Sequence, residues 1–201
     1  MNWQPLEKEQ LDTLIDTVAS KAMPGLFSAS SSQGQKSSLS FYDGFYLYDL
    51  RNYSTLPVFT MQYLGNGKDF FYLDGSSAPI YKVNEQYNAI ALDENNILDY
   101  IAFFFSYVSM LEEEAEMISD PENLPYYEYL SQDQKDIIAR EKNAAQITFD
   151  EQTRHFKVIC PLYYGGSLVK AEIDVDKRGH VEVKNYKLLF GAEDHTATAG
   201  Q

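Results

Sequence analysis

Residues 97–111 read ILDYIAFFFSYVSML, a run that is apolar on nearly every side, with Asp99, Ser106 and Ser109 as its polar positions. At ~1.5 Å per residue a helix of this length falls short of the ~30 Å hydrocarbon layer of a bilayer, so the run predicts a buried helix and not a membrane span. Asp93 can cap it and Glu94 suits its start, giving a helix over 93–111. A helix without a polar face must be surrounded, and the flanking sequence has to supply the cover.

Upstream, residues 5–23 place Leu11, Leu14, Ile15, Val18 and Ala22 at helical spacing, an amphipathic helix stopped by Pro24 and Gly25. SASSSQGQKSS, Ser28–Ser38, has no apolar face and reads as a mobile loop, an ordinary connection or a lid. From Leu39 the texture turns to aromatic-rich alternation in SLSFYDGFYLYDL, LPVFTMQYL and KDFFYL, with NYST and Gly65-Asn66-Gly67 as turns, which predicts two antiparallel hairpins. LDGSSAPIYKVN, residues 73–84, is strand-to-helix corner chemistry: Asp74-Gly75 turns, Ser76 or Ser77 caps, and Pro79 fits the first helical turn. It lacks the glycines and the Lys-Ser or Lys-Thr pair of a phosphate loop, and the second glycine of a nucleophile elbow. A short strand, QYNAIALD, follows.

Downstream, Glu112, Glu113, Glu114 and Glu116 crowd the expected C-terminus of the buried helix, against the preference of its dipole, with Asp120 and Glu122 close behind. This cluster is the candidate interaction surface for a basic protein; as metal ligands its members lack enforced convergence. Ser131 with Gln134 forms a capping-box pattern opening a helix over 131–143. AQITFDEQ, HFKVICPLYY, SLVKAEIDV and HVEVKNYKLLF then predict an antiparallel meander. The expected fold class is α+β: antiparallel sheet in two groups of strands packed around a buried central helix, with an N-terminal amphipathic helix. One domain is expected over 1–190, with a disordered tail over 191–201.

The net charge of −14, from 30 acids and 16 bases, repels phosphate backbones and anionic lipid, so neither nucleic acid nor membrane is expected as a partner. A single cysteine, Cys160, excludes an intrachain disulfide, and MNWQPLEKEQLD does not read as an export signal, so the expected location is the cytoplasm. His155 and Cys160 stand five apart on one expected strand and therefore on opposite faces, which argues against a thiol–imidazole pair. His180, His195 and the lone thiol contain no close ligand pair for zinc, and DVDKRG, Asp174–Gly179, fits a hairpin turn better than a calcium loop. No cofactor, metal or catalytic residue is expected.

These features point to a non-catalytic acidic protein-interaction domain of inhibitor, immunity or chaperone type. The alternative is a small-molecule binding domain or hydrolase with a pocket between central helix and sheet, lined by Tyr100, Phe104 and Tyr107, with Asp99 as its acid.

Overall fold

The computed structural model describes residues 2–19, 25–109, 115–118, 124, 127–142, 145–164 and 167–191. The fold is α+β with antiparallel sheets. The chain forms two compact units, residues 1–91 and 92–201. Of the tail expected over 191–201, Gly191 is described and buried, and the rest lies outside the described residues.

The first unit is a five-stranded antiparallel sheet in sequential order: β1 (Trp3–Pro5), β2 (Ser32–Ser38), β3 (Tyr46–Asn52), β4 (Phe59–Gly65) and β5 (Phe70–Tyr72). Helix α1 (Lys8–Ala19) buries Leu14, Ile15 and Val18 in one cluster with Tyr48, Leu50, Met61, Tyr63 and Phe70. Each such side chain contributes ~1.5–3 kcal/mol on full burial. The β4–β5 turn is made by Gly67, at φ +88, and by the Asn66 side chain, which accepts from the N–H groups of Lys68 and Asp69.

The serine-rich stretch corrects the expectation of a loop, because Ser32–Ser38 is strand β2, paired along its length with β3 and over Gln35–Ser37 with β1. Its side chains supply no apolar face, but a strand between two neighbours has its backbone donors and acceptors satisfied by them. Gly34 adds a specific fit: a Cβ there would lie 2.7 Å from Leu6 Cδ1 and 3.1 Å from Leu11 Cδ1, so the bare backbone lets these leucines close over the strand. The helical pattern likewise masked β1, and α1 begins at Lys8 instead of Pro5.

Gly65 is as tightly placed. A Cβ on it would stand 2.4 Å from Phe70 Cδ1 and 3.0 Å from the Asp69 carbonyl, and Phe70 is itself locked edge-on to Tyr48 at 5.0 Å between ring centroids. Gly65→Ala is therefore expected to destabilise by ~1–3 kcal/mol through overpacking, read as a lower denaturant midpoint. An unchanged midpoint would mean that the Phe70 ring yields without loss.

At the corner after β5, Asp74 accepts from the backbone and hydroxyl of Ser76, and helix α2 (Ala78–Tyr87) follows with Pro79 in its first turn. Hydrogen bonds from Ser76 hold the Asp74 carboxyl below its ordinary range. Ser77 occupies the cap position without a side-chain capping bond, and the Asp74 bonds end at Ser76, ahead of the helix. In place of the short strand expected at 86–93, α2 runs to Tyr87 and a lone bridge joins Tyr42 to Ile90.

The second unit opens with α3 (Ile97–Tyr107), in which Ile97, Tyr100, Ile101, Phe103, Phe104 and Phe105 are buried. The helix is shorter than the sequence suggests. Asp93 closes the preceding turn by accepting from Asn95 and Asn96, which leaves Asn96 as the cap residue, and Val108 is already extended.

After α3 come β6 (Ala115–Met117), α4 (Gln132–Glu141), β7 (Gln146–Asp150), β8 (His155–Tyr164), β9 (Ser167–Val175) and β10 (Val181–Phe190). The meander β7 to β10 is the expected one. Both β6 and β7 pair with the same edge of β8, β6 over Leu162–Tyr164 and β7 over His155–Ile159. Pro161, which has no N–H to donate, sits at the seam between them, its carbonyl facing the Ile118 N–H at 3.5 Å.

Helix α4 lays Ile138 against Leu124, Leu168 and Phe190. Ser131 Oγ accepts from the Gln134 N–H, and Gln134 Oε1 accepts from the Ser131 N–H, completing the capping box. Ser131→Ala should destabilise by about 1 kcal/mol, seen as a small drop in melting temperature.

Candidate functional site

Alternation along β3 sends Tyr48 and Leu50 to the face covered by α1, and Leu47, Asp49 and Arg51 to the opposite face. Register places Gln35 beside Asp49 and Gln33 beside Arg51, so two adjacent strands present a block of four polar side chains. Asp49 is 1% exposed. Its Oδ2 accepts from Gln35 Nε2 at 2.8 Å, from Arg51 Nε at 2.9 Å and from the same guanidinium's Nη2 at 2.7 Å. Hydrogen bonding and charge from Asp49 push the Arg51 guanidinium further up, and Tyr53 adds a hydrogen bond of its own.

Asp49 Oδ1 has no partner. Among the described residues it is the only buried side-chain nitrogen or oxygen in that condition. A buried acceptor left unmade costs ~1–3 kcal/mol, more when it is charged.

These four side chains line a half-open cleft of about 230 Å³ that also takes in Leu6, Leu11 and Tyr53. The cleft lies where β1 ends: past Pro5, the Leu6 N–H reaches the Gly34 carbonyl at 2.9 Å. A second hollow shares Gln33 and Tyr53 with it and is lined by Ser30, Ser31, Ser32 and Ser54. The sequence signal for this site was a charged residue inside the aromatic alternation YLYDL, where aspartate is disfavoured unless it is paired.

A different surface forms at the β3–β4 hairpin tip. Leu56 is 97% exposed, with Tyr53, Val58 and Phe59 also exposed beside it. The base of this tip is fixed: Asn52 Nδ2 donates to the Leu26 carbonyl, Asn52 Oδ1 accepts from the Ser54 N–H and hydroxyl, and Phe59 stands 6.0 Å from Phe27 between ring centroids.

Of the acidic cluster, Glu116 is described. It is exposed on β6 opposite Tyr163, not at the end of a helix, so the conflict with the helix dipole expected there does not arise at this residue. Glu112, Glu113, Glu114, Asp120 and Glu122 lie outside the described residues. Tyr100 and Phe104 are buried in α3, Tyr107 is half-buried, and Asp99 is exposed in the first turn. The Tyr100 hydroxyl donates to the Gly179 carbonyl.

The described imidazoles each have a carboxylate partner. His155 Nδ1 donates to Asp174, and His180 Nδ1 donates to Asp176 Oδ2 at 2.9 Å. Burial works to raise the Asp176 carboxyl, but hydrogen bonds from the His180 side chain and backbone outweigh it and hold it below its ordinary range. Asp176 also accepts from the Arg178 N–H, so DVDKRG is the β9–β10 hairpin turn. Asp150 is pushed down to about 2, first by the hydrogen bond from Lys157 and then by the N–H groups of Thr153 and Gln152. No group of three or more metal-ligating side chains converges among the described residues. No helix of the described residues is long and apolar enough to cross a membrane. Comparison with protein-family models, curated proteins and solved structures finds no match.

Proposed function

We propose that this chain is a non-catalytic protein-interaction domain of inhibitor, immunity or chaperone type, which engages a basic partner through the β3–β4 hairpin tip. The observation that carries the reading is Leu56, almost wholly exposed among Tyr53, Val58 and Phe59 on a hairpin whose base is fixed by the Asn52 hydrogen bonds. A tip on a fixed base loses less conformational freedom on docking than one on a free loop, which favours affinity. The net charge of −14 supplies long-range attraction to a basic surface, with apolar contact at the tip giving the short-range part. The groups best suited to chemistry have structural uses: Cys160 is sealed in the core, and each described imidazole is engaged by its own carboxylate. The acidic stretch containing Glu112–Glu114, Glu116, Asp120 and Glu122 is proposed as a second contact for the same partner.

A photo-crosslinking residue at Thr55, tested in extract of the native cells with a control at Glu9 on α1, examines this directly. A discrete adduct with a basic protein is expected at Thr55 alone, lost at high ionic strength and reduced about tenfold by Leu56→Asp, the effect of removing an interface anchor. Equal labelling at both positions, or an adduct indifferent to Leu56→Asp, would remove the reading.

A further inference from the structure

The sheet of the second unit ends in an open strand whose side-chain pattern fits a second copy of this chain. We propose that β10 pairs antiparallel with β10 of another molecule, about a two-fold axis between Lys184 and Asn185, joining the two sheets edge to edge. Among the described residues β10 bonds to β9 alone, yet it runs for ten residues, and Tyr186 and Leu188 on it are left 64% and 47% exposed. A long strand with one open edge is a template for a further strand. Its charges are mismatched within their own sheet. Glu182 stands opposite Asp174 on β9, and Lys187 stands opposite Lys170. Asp174 is held by His155, Lys170 by Glu141 and Glu182 by Lys184, while Lys187 has no ion pair among the described residues. Like charges directly opposite each other weaken a ladder and unlike charges support it. In the proposed register Glu182 of each copy faces Lys187 of the other, so the axis makes the pair twice and gives Lys187 the carboxylate that its own sheet denies it.

A bulge makes this register possible. Unbroken alternation would send Val183 and Tyr186 to opposite faces. The register with β9 shifts between Val183 and Asn185, so that Val183 stands opposite Ile173 and Tyr186 opposite Ala171, two residues of one face, while Glu182 and Lys187 share the other face with Asp174 and Lys170. With that extra residue the self-pairing sets Val183 against Tyr186 on the apolar face and Glu182 against Lys187 on the polar one. A bulge ordinarily blunts an edge, but here both copies carry it at the axis, Lys184 facing Asn185, so the two irregularities meet each other. The second shift, between Leu188 and Phe190, ends the matched stretch. Such a contact uses the same edge of both molecules, is isologous, and therefore closes at two chains.

Sedimentation velocity of the full chain over a concentration series provides the test. A monomer–dimer equilibrium in the micromolar range is expected. Glu182→Lys and Lys187→Glu should each weaken it about tenfold or more, because each turns two attractive contacts into two repulsive ones. Both should fold as the parent does, since each sets unlike charges opposite each other across β9 and β10. Mixing the two variants is expected to restore association, one chain then bringing cations and the other carboxylates to the paired positions, and the double variant should recover it within a single chain type. A chain that stays monomeric throughout the series, a dimer that neither substitution weakens, or variants that do not recover on mixing would overturn the proposal. Should either variant not fold, Tyr186→Asp at its exposed position carries the same test, and unchanged association overturns it. The contact lies wholly on β10, so its failure leaves the crosslinking result at the β3–β4 hairpin untouched.

Discussion

Tyr100→Ala is expected to destabilise the protein by ~3–5 kcal/mol and Tyr100→Phe by ~1–3 kcal/mol, measured by chemical denaturation. Tyr100 is fully buried in α3, so truncation to alanine removes a whole ring from a packed interior and leaves a cavity. Its hydroxyl donates to the carbonyl of Gly179, the residue that turns the β9–β10 hairpin at φ +78. Phenylalanine keeps the ring and deletes that donor, leaving a carbonyl to find another partner, so the two variants separate packing from hydrogen bonding. A neutral Tyr100→Phe would show that water takes over at Gly179.

Cys160 should resist alkylation in the native protein and react freely once unfolded. It is fully buried on β8 beside Ala171, and burial pushes its thiol up from the ordinary 9.0 to about 12. That alone lowers the thiolate fraction at neutral pH about a thousandfold, before access is counted. The sign of the pH effect follows. The folded state holds the proton more tightly than the unfolded one, so this group's contribution to stability is complete below pH 9.0, falls as pH rises above it, and is lost once pH passes about 12. Iodoacetamide labelling followed by mass spectrometry, with and without denaturant, checks the first point, and denaturation midpoints between neutral and alkaline pH check the second. Rapid native labelling would place the thiol in contact with solvent and reopen a nucleophilic role.

Elements that carry their own instructions were legible in the sequence. Ser131 and Gln134 specify a helix start by two local hydrogen bonds, and the period-two alternation of HFKVICPLYY and SLVKAEIDV specifies half-buried strands whose turns are marked by glycine and aspartate. β2 was illegible because its conformation is imposed by neighbours: nothing in SQGQKSS announces a strand, and its pairing exists only when β1 and β3 are in place. The start of α3 was misplaced for a related reason, since Asp93 and Asn96 are both good cap residues and the turn between them used the first to close itself. The Asp49 site needed three separate strands brought together. Its sequence trace was an acid within an aromatic strand, and neither the orphaned oxygen nor the leucines that close over Gly34 can be read from spacing.

The shared edge of β8 bears on the engineering of the second unit. Met117 and Gln146 oppose Leu162 and Ile159, which are three positions and ~10 Å apart, so two extended residues would splice β6 and β7 into one unbroken strand. The described residues between them, α4 included, form a detour that leaves a strand and rejoins it farther along. Such a detour can be lengthened, trimmed or exchanged without altering the ladder, provided that the substitute still shields Leu168 and Phe190 as Ile138 does. It is the natural place to graft a new recognition element onto this scaffold.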